Sequence, residues 1–180
     1  MNSITFRVVD QFPEPEFSSL VDEAFSDYEQ SALLSEVSLE EATARSGATA
    51  TPSEEAIRIG AYRGEKLVGW TYANPEGQSL LYMVNSGVAA AERRSGIYSE
   101  LARLVIEEAK SRGYSFIWSR HAANNNAVIV AKLKLGFFVS GFEFSEVYGP
   151  LVRLTYILRE KRRQLYQSRA TTIRRIRHDA

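Results

Sequence analysis

Cysteine is absent from all 180 residues of this chain, and the sequence holds only two histidines and two methionines. A chain without cysteine forms no disulfide, offers no thiolate nucleophile and cannot hold a metal through cysteine ligands. The two histidines, His121 and His178, stand far apart, and no serine, histidine and aspartate pattern of a hydrolase is recognisable. We therefore predict no metal site.

Long apolar stretches are also missing. Hydrophobic residues make up 44% of the sequence and charged residues 24%, which is typical of a globular domain. Residues 1–7 lack the basic and then apolar pattern of a secretory signal. A chain of this length can form one domain with a full core. We expect a cytoplasmic protein that makes no use of a membrane.

Charge is divided unevenly, although the formal net charge is zero. Residues 159–180 hold eight Lys/Arg against two acids, whereas residues 1–55 hold two Arg against twelve acids. The basic end predicts a helical extension, which could be a solvated charged helix, a nucleic-acid patch or an arm that docks on an acidic surface. The acidic beginning of the chain favours docking, within or between subunits, and we expect a homodimer. Nucleic-acid binding is not favoured, because the extension offers a single aromatic side chain for stacking, Tyr166. The acidic beginning favours a cationic or free-amine ligand.

A helix with small and basic residues before it is the most informative feature of the sequence. From Ile97, apolar residues recur at helical spacing until Arg112 and Gly113 end the pattern. Strands are predicted before it and over residues 114–118, so the three elements form a βαβ unit with parallel strands. The loop before such a helix directs unpaired N–H groups at one place, which predicts a phosphate site.

The residues of this loop resemble a known signature. They are Arg93, Arg94, Ser95, Gly96, Ile97 and Tyr98, and they are similar to the R/Q-x-x-G-x-G/A motif of the GNAT acetyltransferase superfamily. A second motif agrees, since Asn125 stands eleven residues before Gly136 and Phe137, the family's spacing for N…G-F. The resemblance covers residues 4–158, and we expect residues 1–158 to form one domain, with residues 159–180 as an extension.

The resemblance implies an α/β fold with a central mixed sheet of about seven strands, flanked by helices, whose parallel central pair splays to admit acetyl-CoA. In this family the loop of residues 93–98 holds the pyrophosphate, and the matching asparagine, Asn125, contacts the pantetheine arm. Ser86 and Val88 would offer backbone contacts to the acetyl and pantetheine groups. The implied reaction is direct acetyl transfer to an amine of a small molecule or peptide.

Two positions depart from the family pattern. The last small residue of the motif is Tyr98 here, so its ring must point away from the phosphates or lie beside them. Many family members carry a tyrosine seven residues after the asparagine, where it protonates the leaving thiolate, and this chain has Lys132 there. A buried Lys132 with a lowered pKa could serve as that acid. The alternative is a lysine paired with a phosphate or a surface carboxylate.

Other catalytic candidates follow from position. His121 is predicted where the two parallel strands separate, and its imidazole is suited to accept a proton from an amine. A hydrogen-bonded structural histidine is the alternative. Tyr82, with Asn85 and Ser86, could orient a water. A non-catalytic module that binds acyl-CoA remains the rival interpretation, supported by Lys132.

Local patterns give further expectations. They predict a helix over residues 17–28 capped by Ser18 or Ser19, a short helix from residue 38 and a loop over residues 46–53. Strands are expected over residues 57–62 and 67–73, with a turn over residues 74–77. Gly87 suggests a bulge or a close backbone approach in the following strand.

Overall fold

The computed structural model describes residues 3–29, 55–145 and 148–178, which form seven strands and four α-helices. In chain order they are β1 Ile4–Val8, α1 Glu16–Glu29, β2 Ile57–Arg63, β3 Lys66–Glu76, β4 Leu80–Val88, α2 Ile97–Ser111, β5 Phe116–Ala122, α3 Asn126–Lys134, β6 Phe138–Ser145, β7 Gly149–Ile157 and α4 Glu160–His178. A 3₁₀ turn, Ala90–Glu92, lies between β4 and α2.

All seven strands belong to one sheet, in the order β1-β2-β3-β4-β5-β7-β6. Only the central pair among these strands, β4 and β5, runs parallel, and the pairing covers three residues on each strand. The last pair is Tyr82 with Trp118, and beyond it the two strands diverge. The predicted fold class, a mixed sheet with a splayed parallel pair, is confirmed.

An extra residue in β4 marks the point of divergence. Opposite β3, Met83 pairs with Ala73 and Asn85 pairs with Tyr72, so Val84 is bulged out of the ladder. Gly87 serves a different purpose, because a Cβ added there would lie 2.2 Å from the Trp70 ring. The sequence predicted a bulge or a close approach at Gly87, and the structure has both in β4, the close approach at Gly87 and the bulge three residues earlier at Val84.

The two faces of the sheet are covered by different helices. Helix α2 buries Leu101, Val105 and other apolar residues against one face, where they join the main core of the domain. On the opposite face Trp70 is fully buried and packs with Leu20 of α1. Removing this apolar surface from water is the main force that fixes both helices, at about 25 cal/mol per Å².

Two local expectations were wrong. Helix α1 begins at Glu16, and the Glu14 carboxylate accepts hydrogen bonds from the Ser18 amide and hydroxyl at 3.2 and 2.7 Å. Ser18 therefore lies inside the helix rather than capping it. Strand β3 continues to Glu76 through Pro75, which pairs with Leu81, so the turn is shorter than expected. The predictions for residues 38–41 and 46–53 lie outside the described residues.

Helix α4 is the predicted basic extension, and its first turns contact the chain's own sheet. The Tyr166 ring stacks on Phe138 with centroids 4.0 Å apart. Arg163 Nη1 donates to the Tyr156 hydroxyl at 2.9 Å. In the described part of the chain, none of the helices has the length and apolarity needed to cross a bilayer.

Candidate active site

The loop before α2 has the backbone geometry of an anion site. Arg94 and Gly96 adopt left-handed conformations, with φ of 64° and 87°. Within the described residues, none of the amide groups from Arg94 to Ser99 donates a hydrogen bond to another group of the chain. A Cβ added at Gly96 would meet nothing within 4 Å. The helix N-terminus is therefore open and rich in free donors, as anion binding requires.

Neighbouring contacts fix this loop in place. Arg63 of β2 donates twice to the Glu92 carboxylate, both at 2.7 Å. This hydrogen-bonded ion pair lowers the pKa of Glu92. Ser95 Oγ donates to the Glu92 carbonyl at 2.5 Å, and Arg93 Nε donates to the Val88 carbonyl at 3.2 Å. One nitrogen of the Arg93 guanidinium is thus used in a hydrogen bond within the loop itself, whereas the Arg94 side chain is exposed.

The last two residues of the motif differ in exposure. Ile97 is buried in the main core beneath the loop, and its Cγ2 would lie 3.1 Å from a Cβ added at Gly69. Its contribution to a phosphate site is therefore its backbone amide. Tyr98 is partly buried, and burial raises the pKa of its phenol. The Tyr98 side chain is a neutral phenol at physiological pH.

Among the described residues, no strand pairs with the second half of β4 on its β5 side, so this backbone edge faces the gap between β4 and β5, called the cleft below. The other edge of β4 pairs with β3, Ser86 with Thr71 and Val88 with Gly69. Toward β5 the pairing ends at Tyr82, so the backbone from Met83 to Val88 faces the gap between the strands. The Ser86 hydroxyl is 2.8 Å from Thr71 Oγ1, which leaves its backbone as the group that can contact a ligand.

Asn125 and Lys132 are positioned by the short helix α3. Asn125 caps this helix, because its Oδ1 accepts from the Val128 amide at 3.3 Å. Lys132 lies two turns later and is 1% exposed. Its Nζ donates to Ser119 Oγ on β5 at 2.6 Å and lies 3.2 Å from Met83 Sδ on β4. These are the first residues beyond the last strand pair, so Lys132 bridges the cleft at its apex.

Lys132 heads a short chain of hydrogen bonds. Ser119 Oγ, which accepts from Lys132, is also 2.9 Å from His121 Nε2. While Lys132 is protonated it can only donate, so the serine hydroxyl is then free to donate to the imidazole. The Lys132 ammonium also lies 4.8 Å from the centre of the Phe137 ring. The carboxylate pairing considered for Lys132 is not found among the described residues.

Burial sets the charge states of this group. The pKa of Lys132 is lowered to about 7 by burial. The pKa of His121 is lowered to about 3, first by burial and then by the charge of Lys132. His121 is therefore a neutral imidazole at physiological pH and a weak base. This environment does not favour the role of proton acceptor considered for His121. Lys132, with a pKa of about 7, is present in nearly equal amounts of its protonated and neutral forms at physiological pH.

Tyr82 does not join the other two catalytic candidates. Along a strand alternate side chains point to opposite faces, and Tyr82 lies on the face away from Met83. There it stacks on Trp118 with ring centroids 4.4 Å apart, and Arg120 Nη2 donates to its hydroxyl at 3.4 Å. The structure thus brings His121 and Lys132 together and places Tyr82 across the sheet from them.

Ser119 is the residue that sequence reasoning missed. It is fully buried and joins Lys132 to His121. Its spacing of two residues from His121 places both on one face of β5, which was a usable signal. Within the described ranges, no group of three or more His, Asp or Glu side chains is arranged to hold a metal ion.

Solved structures support the same fold at low sequence identity. The ribosomal-protein-S18-alanine N-acetyltransferase of Escherichia coli has a TM-score of 0.67 at 16% identity, covering 87% of this chain and 94% of that one. A probable acetyltransferase of Staphylococcus epidermidis has a TM-score of 0.66 at 18% identity, covering 86% and 99%. The IAA acetyltransferase of Bacillus cereus has a TM-score of 0.64 at 18% identity, covering 86% and 99%.

The family is identified by a match to a family model. Among curated proteins, none matches the chain. A family model matches residues 13–137, which hold the splayed strands, the open loop and Lys132, and on that match the chain belongs to the acetyltransferase (GNAT) family.

Proposed function

We propose that this protein is an acetyl-CoA-dependent N-acetyltransferase that moves an acetyl group directly to an amine of a small molecule or peptide. The observation that carries the proposal is the position of Lys132, whose Nζ contacts Met83 and Ser119 at the apex of the cleft. A titratable group with a pKa near neutrality, at the point where a thioester would lie, is suited to proton transfer.

The chain offers a fitting site for the co-substrate. The free amides from Arg94 to Ser99 and the space at Gly96 suit a pyrophosphate, with Arg94 as an exposed cation. The open edge of β4 from Ser86 to Val88 suits the amide groups of a pantetheine arm, and Asn125 lies at the start of the helix beside it. When bound, acetyl-CoA supplies the acetyl group as an activated thioester.

Lys132 then acts on the leaving group. An attacking amine nitrogen forms a bond to the acetyl carbon, the carbon–sulfur bond breaks, and the sulfur receives the proton of the Lys132 ammonium. The amine loses its own proton to solvent, and Lys132 regains a proton from solvent before the next turnover. Ser119 holds the Lys132 nitrogen in place, and His121, a neutral imidazole, accepts from Ser119. Positioning and one proton transfer account for the chemistry, with no covalent enzyme intermediate.

The rival function is acyl-CoA binding without catalysis. Its support is the absence of the tyrosine that many family members use as the acid. Thiol release from acetyl-CoA in the presence of an amine panel, combined with calorimetry of acetyl-CoA binding, separates the two. Amine-dependent thiol release supports the transferase. Tight acetyl-CoA binding with no amine-dependent release across the panel would instead support the binding module. A cytoplasmic location and a homodimer remain predictions.

A further inference from the structure

The face of the sheet away from Lys132 carries two arginines beside a pair of stacked rings. Tyr82 and Trp118, the last strand pair before the cleft, stack as described above. Arg153 of β7 places its Cζ 3.9 Å from the Trp118 ring centre, and Arg120 of β5 lies 5.5 Å from the Tyr82 ring centre. Arg120 and Arg153 are direct partners across the two strands. Both cations are therefore held over the aromatic pair, next to the point where β4 and β5 diverge.

Among the described residues, most hydrogen-bond donors of these two arginines have no partner. Both approach one carboxylate, Glu143, with nitrogen–oxygen distances of 3.5 Å for Arg120 and 4.0 Å for Arg153. These distances exceed those of good N–H···O hydrogen bonds, and each guanidinium has five N–H donors. The nearby Glu76 carboxylate accepts from Trp118 Nε1 at 2.7 Å. In the described residues, the arginine pair thus has donors and positive charge to offer an anion.

Two buried polar atoms on the same face have no hydrogen-bond partner among the described residues. Asn74 pairs directly with Tyr82 on the neighbouring strand, and Asn74 is 8% exposed with its Oδ1 unsatisfied. The Tyr72 hydroxyl, one side-chain repeat further along β3, is also buried and unsatisfied. A buried acceptor without a donor costs stability, because the hydrogen bonds it made to water are not replaced. A ligand N–H group at this position would remove that cost.

We infer that this face is the acceptor subsite and that it selects an amine carrying a carboxylate, as in a free amino acid. The carboxylate pairs with Arg120 and Arg153, whose planar guanidinium groups suit two-point binding of a carboxylate. Asn74 Oδ1 accepts from the amine. Arg120 on β5 reaches across to the Tyr82 hydroxyl on β4, and Asn74 lies one strand further on, on β3. The acceptor atom is thus about one strand spacing, ~5 Å, beyond the strand that Arg120 already reaches, a separation that an amino acid can span.

The inference rests on the proposed function for the chemistry and adds its substrate class. In the balanced reaction the ammonium of the amino acid loses two protons and gains an amide bond. One proton leaves as H⁺, and the other is matched by the proton that the CoA sulfur receives through Lys132. The carboxylate is unchanged and serves only for recognition.

Binding and turnover are measured separately to test this. The probes are matched pairs with and without the carboxylate: L-phenylalanine with phenethylamine, L-arginine with agmatine, and L-lysine with cadaverine. Calorimetry on CoA-saturated protein measures affinity, and thiol release measures transfer. Wild type, Arg153→Gln and Asn74→Leu are compared with Arg103→Gln, an arginine paired with Glu100 on the surface of α2.

We expect at least one amino acid to bind about tenfold or more tightly than its decarboxylated partner. Arg153→Gln should remove that preference and Asn74→Leu should weaken both partners, with acetyl-CoA affinity unchanged. Arg103→Gln should change neither the preference for the amino acid nor the affinity for either member of a pair. Equal binding of the two members of every pair, or a preference that survives Arg153→Gln, would overturn the inference, as would failure of every amino acid to bind. Binding with the expected preference but without transfer would uphold the subsite and refute the proposed function.

Discussion

Lys132 Nζ and Ser119 Oγ lie 2.6 Å apart, and both residues are almost fully shielded from solvent. Burial of a cation without a carboxylate partner is costly, because the ammonium loses its hydration. Here a hydroxyl, a thioether and the face of Phe137 are the compensating contacts. Because the buried ammonium lowers stability, its position at the apex of the cleft indicates a functional role for Lys132.

Replacing Lys132 by methionine should separate activity from stability. Methionine keeps the length and apolar stem but removes the charge, so Lys132→Met should lower turnover about 10²-fold, the usual contribution of a general acid. It should also raise the melting temperature, since the buried ammonium is gone. Lys134→Met is the matched control, because Lys134 is exposed on the same helix. This substitution should change neither the turnover nor the melting temperature. Unchanged turnover in Lys132→Met would exclude Lys132 as the acid.

The stability effect of Lys132 should depend on pH in a defined direction. The folded pKa is lowered to about 7 from 10.5, so between these values the unfolded chain binds a proton that the native protein does not. Stability therefore rises with pH across this window. The free-energy gain of Lys132→Met over wild type, measured by urea unfolding, should be a few kcal/mol below pH 7 and should disappear toward pH 10.5. A gain that does not vary with pH would contradict the assigned pKa.

How much was visible in the sequence differs between parts of the molecule. The βαβ unit and its loop depend on local signals, the spacing of apolar residues in α2 and the glycine at position 96, and these were predicted correctly. The extension of β3 through Pro75 depends on pairing with Leu81, which no local pattern reveals. Lys132 was recognised only as a departure from a family pattern. The prediction of a cationic acceptor from residues 1–55 stays a prediction, and four of those twelve acids lie outside the described residues.

The pairing of Arg120 with Arg153 is a second feature that the sequence alone does not predict. Arg120 and Arg153 are 33 positions apart in the sequence, and only the pairing of β5 with β7 makes them neighbours. Nothing in the local sequence around either residue indicates a shared anion or a shared aromatic support. Long-range sheet pairing, rather than motif, creates this part of the site.

The glycine of the phosphate loop allows a test with an internal control. Gly96 and Gly113 stand at opposite ends of α2, both with positive φ, 87° and 80°, and both with nothing within 4 Å of an added Cβ. Valine is strained to a similar degree at either position. Gly96→Val should abolish acetyl-CoA binding by calorimetry, because it both distorts the loop and occupies the space for the phosphates. Gly113→Val should lose similar stability but keep its affinity. Equal affinities in the two variants would place the co-substrate elsewhere.

The last prediction concerns α4, where intrachain packing and the predicted homodimer can be distinguished by two substitutions on adjacent residues. Tyr166 stacks on Phe138, whereas Leu165 is 52% exposed and makes no such contact. Tyr166→Ala should lower the free energy of unfolding by about 1 kcal/mol, the typical value of an aromatic pair, without changing the oligomeric state. Leu165→Glu should leave the unfolding of the domain nearly unchanged but shift the molecular mass measured by light scattering from dimer to monomer, because it places a carboxylate in an apolar contact between copies. A wild-type protein that is monomeric at high concentration would refute the dimer, and α4 would then serve only to cover Phe138 of its own chain.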